Sequence, residues 1–482
     1  MKIRNLLLFF IMSTTTFSFA QNCDCFSNYE WVKKTFEEND AGFQYGLKTK
    51  GDQAYTDHNI RILKKVENSK TITECNAVLY EWLTFFRSGH ISIESNAQAP
   101  QIKDINSKNQ FADWETYNIK TEDFKKYLDK KETTDYEGIW ENKPYKIGIK
   151  KEGDYYIGFI IESGAETWTK GQVKLKINIQ ENKINSVYYK RDHAAEESEN
   201  VVMTGKNHLK IGNFTLIRIY NATEDEPKYI QYLKLLKEKS PFVEELNNTT
   251  LYLRIPSFDH TYKTEIDSVI NANKEKILST KNLIIDIRNN GGGSDASYSE
   301  IIPFLYTNPI RTVGVEFLST KLNNQRMLDF VNNPEFGFDD EEKKWAKEAY
   351  DKLEGKVGSF VNLDEEIVFE DKKDTIFPFP QNVGIIINEG NGSTSEQFLL
   401  EAKQSKKVKL FGVTTAGVLD ISNMHFIESP CKEFQLGYSL SRSMRIPDFT
   451  IDEKGIQPDY FIDKSIPAYD WTEFVTKILN GQ

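Results

Sequence analysis

The residues best placed to do chemistry lie in Val383–Thr394, VGIIINEGNGST, where an apolar run ends in a glycine-rich turn and delivers Ser393 to a helix-like stretch. Two roles fit a serine at that point. Ser393 and Glu396 match a capping box, each side chain satisfying a backbone donor of the other residue. The same serine is a nucleophile if a base reaches it, because N–H groups and the helix dipole at a strand–turn–helix junction stabilise a developing oxyanion. Ser395 is a second helix-start hydroxyl, read as support for the turn. A second glycine-rich turn, Asn289–Gly293, follows the apolar run Asn282–Arg288. Such a turn serves a tight reversal needing positive φ, a phosphate cradle, or donation of N–H groups to an oxyanion. No GxxxxGK[ST] or GxGxxG pattern accompanies it, which argues against a nucleotide. The flanks of Ser393 also lack the GxSxG elbow of ordinary esterases.

A serine nucleophile needs a base with a pKa near 7, and histidine is the residue closest to that. His90, in SGHISIE, sits on the turn leaving a helix-like segment; taken alone it reads as a solvated loop residue. His260 and His425 fall in the same region as Ser393 and are the rival bases. His193 and His208 have polar neighbours and read as surface residues.

Three kinds of element must position these groups. Thr71 and Glu74 form a capping box, and Cys75, Val78, Leu79, Trp82, Leu83 and Phe86 then make one apolar helical face ahead of His90. From about residue 136 to 220 the pattern changes to period two, with Val173, Leu175, Ile177 and Ile179 alternating with Lys174, Lys176 and Asn178. From about residue 227 onward strands and helices alternate, the signature of a mostly parallel sheet. The expected organisation is a signal peptide over 1–20, a helical N-terminal region over 21–97 and an antiparallel, barrel-like β-rich domain over 98–225. An α/β core follows over 226–482, with a helical insert at about 309–375. In an open α/β sheet ligands sit at the carboxyl ends of the strands. That places both glycine-rich turns at one crevice.

The N-terminal stretch has Lys2 and Arg4, then the apolar Leu6–Met12, then Ser18-Phe-Ala20. This is the pattern of a secretory signal peptide, too short to span a bilayer. An exported chain, periplasmic or secreted, is therefore expected. The formal net charge of −11, with no concentrated basic segment, argues against nucleic acid and against anionic membrane surfaces. In an oxidising compartment either Cys23 or Cys25 closes on Cys75, or all the cysteines, Cys431 included, are buried thiols. A bridge across about 50 residues stabilises by ~4 kcal/mol in the chain-entropy model. No zinc-ligand spacing appears, and no metal or cofactor is expected.

Taken together and in order, SGHISIE, IDIRNNGGG, GNGSTSEQF and KGIQPD resemble the serine peptidase family of tricorn core protease and the carboxy-terminal processing proteases. The resemblance implies a serine endopeptidase that takes peptide or protein substrates. It makes Ser393 the nucleophile. The Ser/Lys branch of that family places a lysine where this chain has Val418, so the base is implied to be His90, as in the tricorn-like branch. The orienting acid is then Asp452, three residues before Gly455, where the family more often has Glu; Glu453 stands beside it. Oxyanion donors are implied at Gly291, Gly292 and Thr394. No PDZ-like segment is recognisable. The alternative is a catalytically silent module of the same fold, binding peptides or small apolar ligands.

Overall fold

The apolar face that follows Thr71 closes the core of a helical region made of Cys25–Asn39, Phe43–Lys50, Asp52–Asn68 and Ile72–Leu83. The Thr71–Glu74 capping box forms as expected. Leu79, Trp82 and Leu83 are fully buried, and they pack with Phe36 and Ile62 against Phe434, Leu436 and Tyr438. Cys25 and Cys75 form a disulfide. The computed structural model describes residues 24–96, 111, 113–132, 135–180, 183–364 and 366–481; the expected signal segment and Cys23 lie outside them. Among the described residues no helix is long and apolar enough to cross a membrane.

Two compact units result. The first contains residues 24–96, Glu245–Leu251 and the described residues of Ser257–Phe461, and so joins the helical region to most of the α/β core. Its parallel ladder runs Asn282–Asp286, Asn382–Ile387, Val408–Gly412 and Tyr460–Phe461 in spatial order. Asp286 pairs with Ile386 and Ile387 with Gly412, so the turns after the first two strands emerge side by side. Asn282–Asp286 and Asn382–Ile387 are mostly apolar because both their faces are covered, whereas the edge strand Tyr460–Phe461 is exposed. A second sheet is built on Phe434–Ser443. Ser92–Ser95 pairs with this strand through Ser92 opposite Gly437, and Ile421–Glu428 pairs with it through Ile421 opposite Arg442. Val315–Leu318, from the expected insert, pairs with its far end. Beside the helices Lys321–Asn332 and Asp340–Glu354 the insert, expected to be helical, also holds the strands Ile310–Val313, Phe360–Asn362 and Val368–Asp371.

The second unit holds Ala99–Glu244, Tyr252–Pro256 and Ile462–Gln482. Nine antiparallel strands between Gly138 and Arg218 form a nearly closed, barrel-like sheet. Val173, Leu175 and Ile177 point into its core as the alternation requires. Two expectations fail here. Lys174 is buried, its ammonium 3.9 Å from the Trp168 ring centroid and donating to the Lys190 carbonyl; burial pulls its pKa down to about 7. His193 is not a surface residue, since its ring is stacked between Phe111 and Trp168. Both errors have one cause: an aromatic stack accepts a cation or an imidazole, and polarity patterns do not register that.

Candidate active site

Ser393 enters the helix Thr394–Ala402 at φ 54°, ψ −124°. A non-glycine residue there is strained by about 1–3 kcal/mol, and such strain collects where a side chain must be aimed. The strain decides between the two readings of the serine. In this conformation Ser393 makes no capping bond. Glu396 accepts instead from the Thr415 hydroxyl and from the amides of Gly417 at 2.7 Å and Val418 at 2.9 Å. Ser393 therefore does not supply its half of the expected capping box. Glu396 anchors the loop beside the serine, and the hydroxyl is left free.

That hydroxyl faces His90, with Ser393 Oγ 3.1 Å from Nε2. The other ring nitrogen, Nδ1, lies 2.7 Å from the carbonyl oxygen of Ile421. A carbonyl only accepts, so Nδ1 carries the proton and Nε2 is the acceptor for the serine O–H. Burial lowers the His90 pKa, an effect larger than the opposing one of the Ile421 bond. The imidazole is consequently neutral at neutral pH, the state a general base requires.

His90 is itself at φ 51°, and a buried clamp holds the turn. Arg87 Nη1 and Nη2 lie 2.7 and 2.6 Å from the Asp40 carboxylate oxygens. Its remaining donors reach the carbonyls of Gly89 and His90, both at 3.0 Å. Ser439 on the central strand closes the network, its amide donating to Asp40 and its hydroxyl to the His90 carbonyl. The strand Phe434–Ser443 thus registers the histidine turn on one edge and the Ile421 carbonyl on the other. Neither Asp40 nor Arg87 is distinguishable in the sequence from any other charged residue.

Asp452 is not brought to His90. Its carboxylate accepts from the amides of Asp420 at 2.6 Å and Ile421 at 3.3 Å, while Asp420 accepts from the amides of Ile451 and Asp452. Burial pushes its pKa up to about 7, with the Asp420 charge adding to the rise and the amide donors opposing it. Asp452 therefore grips the residue whose carbonyl holds Nδ1. Glu453 lies on the surface, 3.8 Å from Lys50.

The two turns are stitched together. Asn289 and Asn388 exchange two hydrogen bonds at 2.8 Å, Ser395 Oγ donates to the Asn290 carbonyl at 2.8 Å, and Thr394 Oγ1 donates to Gly293 at 2.9 Å. Ser395 is thereby placed as a support. A Cβ on Gly292, at φ 106°, would lie 2.9 Å from both Ser393 Cβ and the Thr394 amide, so only glycine admits this approach. The Gly292 amide donates to Asn290 Oδ1 at 3.0 Å. The amides of Gly291 and Thr394 have no acceptor among the described residues. They border a cavity of about 830 Å³ that also holds Ser393 and His90. Asp295 opens into it, and desolvation there pushes its carboxyl up to about 6. The rival histidines are elsewhere: His260 is exposed beside Asp259, and His425 is buried against Tyr438 with its pKa pushed down to about 4 by burial.

A hydroxyl with a neutral imidazole at hydrogen-bond distance, next to unpaired amides at the carboxyl end of a parallel sheet, suits acyl transfer by a serine hydrolase. Residues 249–462 match the model of peptidase family S41, and this region is that of a serine-type peptidase. No curated protein matches the sequence. Among solved structures, mature CPAF is similar in fold, with 12% identity over 95% of this chain and 98% of the other and a TM-score of 0.50. CPAF complexed with lactacystin superposes with a TM-score of 0.51 at 12% identity, over 95% of this chain and 99% of that one. A putative peptidase from Parabacteroides merdae reaches 0.45 at 13% identity, over 95% and 97%.

Proposed function

We propose that this peptidase is an exported endopeptidase working through an acyl-enzyme on Ser393, with His90 as general base. The observation that carries the reading is the 3.1 Å contact from Ser393 Oγ to His90 Nε2. In the first half-reaction Oγ attacks the scissile carbonyl carbon as its proton passes to Nε2. The oxyanion sits on the amides of Gly291 and Thr394, the Gly292 amide being engaged by Asn290. Collapse breaks the C–N bond, and the amine leaves with the proton from Nε2. Water then repeats the sequence on the ester, releasing the acid and restoring Oγ–H. The Ile421 carbonyl keeps Nδ1 protonated throughout, and Asp452 acts one bond further back by fixing Ile421. Export is supported by the Met1–Ala20 pattern and by the Cys25–Cys75 bridge, a bond characteristic of oxidising compartments.

The test is labelling with a fluorophosphonate probe, the modified peptide being mapped. Wild-type chain is expected to label at Ser393, with loss of labelling in Ser393→Ala and a large fall in His90→Ala. Labelling that survives Ser393→Ala overturns the nucleophile. A folded chain that binds peptides without labelling makes it a binding module.

A further inference from the structure

One wall of the Ser393 cavity carries a cation whose N–H donors meet no hydrogen-bond acceptor among the described residues. The helix Lys321–Asn332 contributes Arg326, Met327 and Phe330 to that wall, joined by Phe338 and Trp345. The Arg326 guanidinium lies 4.5 Å from the ring centroids of both Phe330 and Phe336, so two aromatic faces fix its plane. Phe338 stacks on Phe330 at 4.7 Å and stiffens that frame. Arg326 is half-buried, yet none of its five N–H donors meets a hydrogen-bond acceptor or an ion-pair partner among the described residues. Asp329, on the same helix, accepts from Gln325 at 3.3 Å and acts on Arg326 only through its charge, which opposes the larger effect of burial. His425, whose pKa the Arg326 charge lowers further, is kept neutral by burial and adds no second positive charge. Of the other charged residues in the lining, Arg445 is already paired with Asp420 at 3.2 Å, and Asp295 is acidic.

A partly desolvated cation with an oriented fork of donors and no protein acceptor is a built receptor for a planar anion. In a site that takes peptides, that anion is a carboxylate. We propose that Arg326 and its aromatic frame form a subsite for a carboxylate of the substrate peptide, an apolar group beside it resting on Met327, Phe330 and Trp345. Asp295, also in the lining, disfavours an acidic group beside it, so the charge preference belongs to the substrate position that meets Arg326. The proposal rests on the peptidase reading of the same cavity. A Glu or Asp side chain and a free C-terminal α-carboxylate offer the same chemistry, and the experiment separates them.

Quenched fluorescent peptides of one sequence, carrying Glu, Gln or Lys at each position in turn, are made with free and with amidated C-termini. Each is assayed for kcat/KM with wild-type, Arg326→Met and Arg326→Glu chains whose melting is measured in parallel. Binding of the same peptides to Ser393→Ala is followed by fluorescence anisotropy. A charge-assisted contact of this kind corresponds to roughly tenfold or more in the Glu-to-Gln ratio at one position. That ratio is expected to fall to about one in Arg326→Met and to reverse in favour of Lys in Arg326→Glu. A ratio confined to an internal position identifies a side chain. Dependence on the free C-terminus identifies the α-carboxylate. In wild-type chain a Glu-to-Gln ratio near one at every position together with no dependence on the free C-terminus, or a discrimination unchanged by both Arg326 variants, overturns the proposal. If no peptide is cleaved but Ser393→Ala binds the Glu peptides about tenfold tighter, the subsite stands and the peptidase mechanism falls; if neither turnover nor binding discriminates, the subsite falls.

Discussion

Arg87→Met tests whether the histidine is held by the network beneath it. Methionine keeps the apolar stem while removing every donor. In the native chain Arg87 and Asp40 are 7% and 0% exposed, and the guanidinium meets the carboxylate in two short bonds. Without it Asp40 retains only the amides of Gly42 and Ser439. Leaving one member of a buried pair uncompensated costs about 3–5 kcal/mol, so the variant is expected to unfold at markedly lower urea. The effect on the reaction is separate. The carbonyls of Gly89 and His90 lose Arg87 as a donor, and the His90 turn, at φ 51°, has fewer bonds to offset its strain. A shift of Nε2 by about 1 Å from its position 3.1 Å from Ser393 Oγ lowers the rate by about 10²-fold. The assay is the fluorophosphonate labelling rate, taken where circular dichroism shows both chains folded. Adding Asp40→Leu to Arg87→Met removes the orphaned charge, and is expected to restore part of the stability but none of the labelling rate. Unchanged urea stability together with an unchanged labelling rate in Arg87→Met would refute the clamp.

The acid limb of the kcat/KM profile is expected below pH 6.5, because burial lowers the His90 pKa and the base must be unprotonated; a limb at or above 6.5 contradicts the placement of the ring. Asp452→Asn is expected to lower kcat by less than about 30-fold, whereas loss of a carboxylate bonded directly to the catalytic ring costs about 10⁴. The same variant reports on stability. A carboxyl raised to about 7 in the folded chain holds its proton where the unfolded chain has lost it, so its contribution declines as pH rises from about 4 to 7; that slope should shrink in the variant, as read by urea unfolding across pH. Gly292→Ala forces a side chain to within 2.7 Å of the Gly392 carbonyl and 2.9 Å of the Thr394 amide, and is expected to abolish labelling while leaving secondary structure intact by circular dichroism.

The sequence by itself determined where the chain turns and which residue types stand at those turns. Apolar runs ending in Asn-Gly clusters mark strand ends whatever the wider fold, and the Thr71 capping box and the apolar face behind it are local events that form as written. The pairing of the two glycine-rich turns was also legible, because strand–helix alternation leaves few topologies open. Lys174 and His193 were misread because a stack of rings stabilises polar groups that a hydrophobicity pattern assigns to solvent.

Tertiary structure decided the rest. Whether Ser393 caps its helix or faces a base depends on one backbone rotation, since at φ 54° the hydroxyl turns from the helix amides toward His90. The partner of His90 Nδ1 is a main-chain carbonyl, a group every residue carries, so no side chain at Ile421 announces it. Asp452 and the Asp40–Arg87 pair act through backbone atoms brought together by one strand, Phe434–Ser443, far along the chain from His90. Residue types report which chemistry is available; the register of that strand brings the histidine, the carbonyl and the serine to one point.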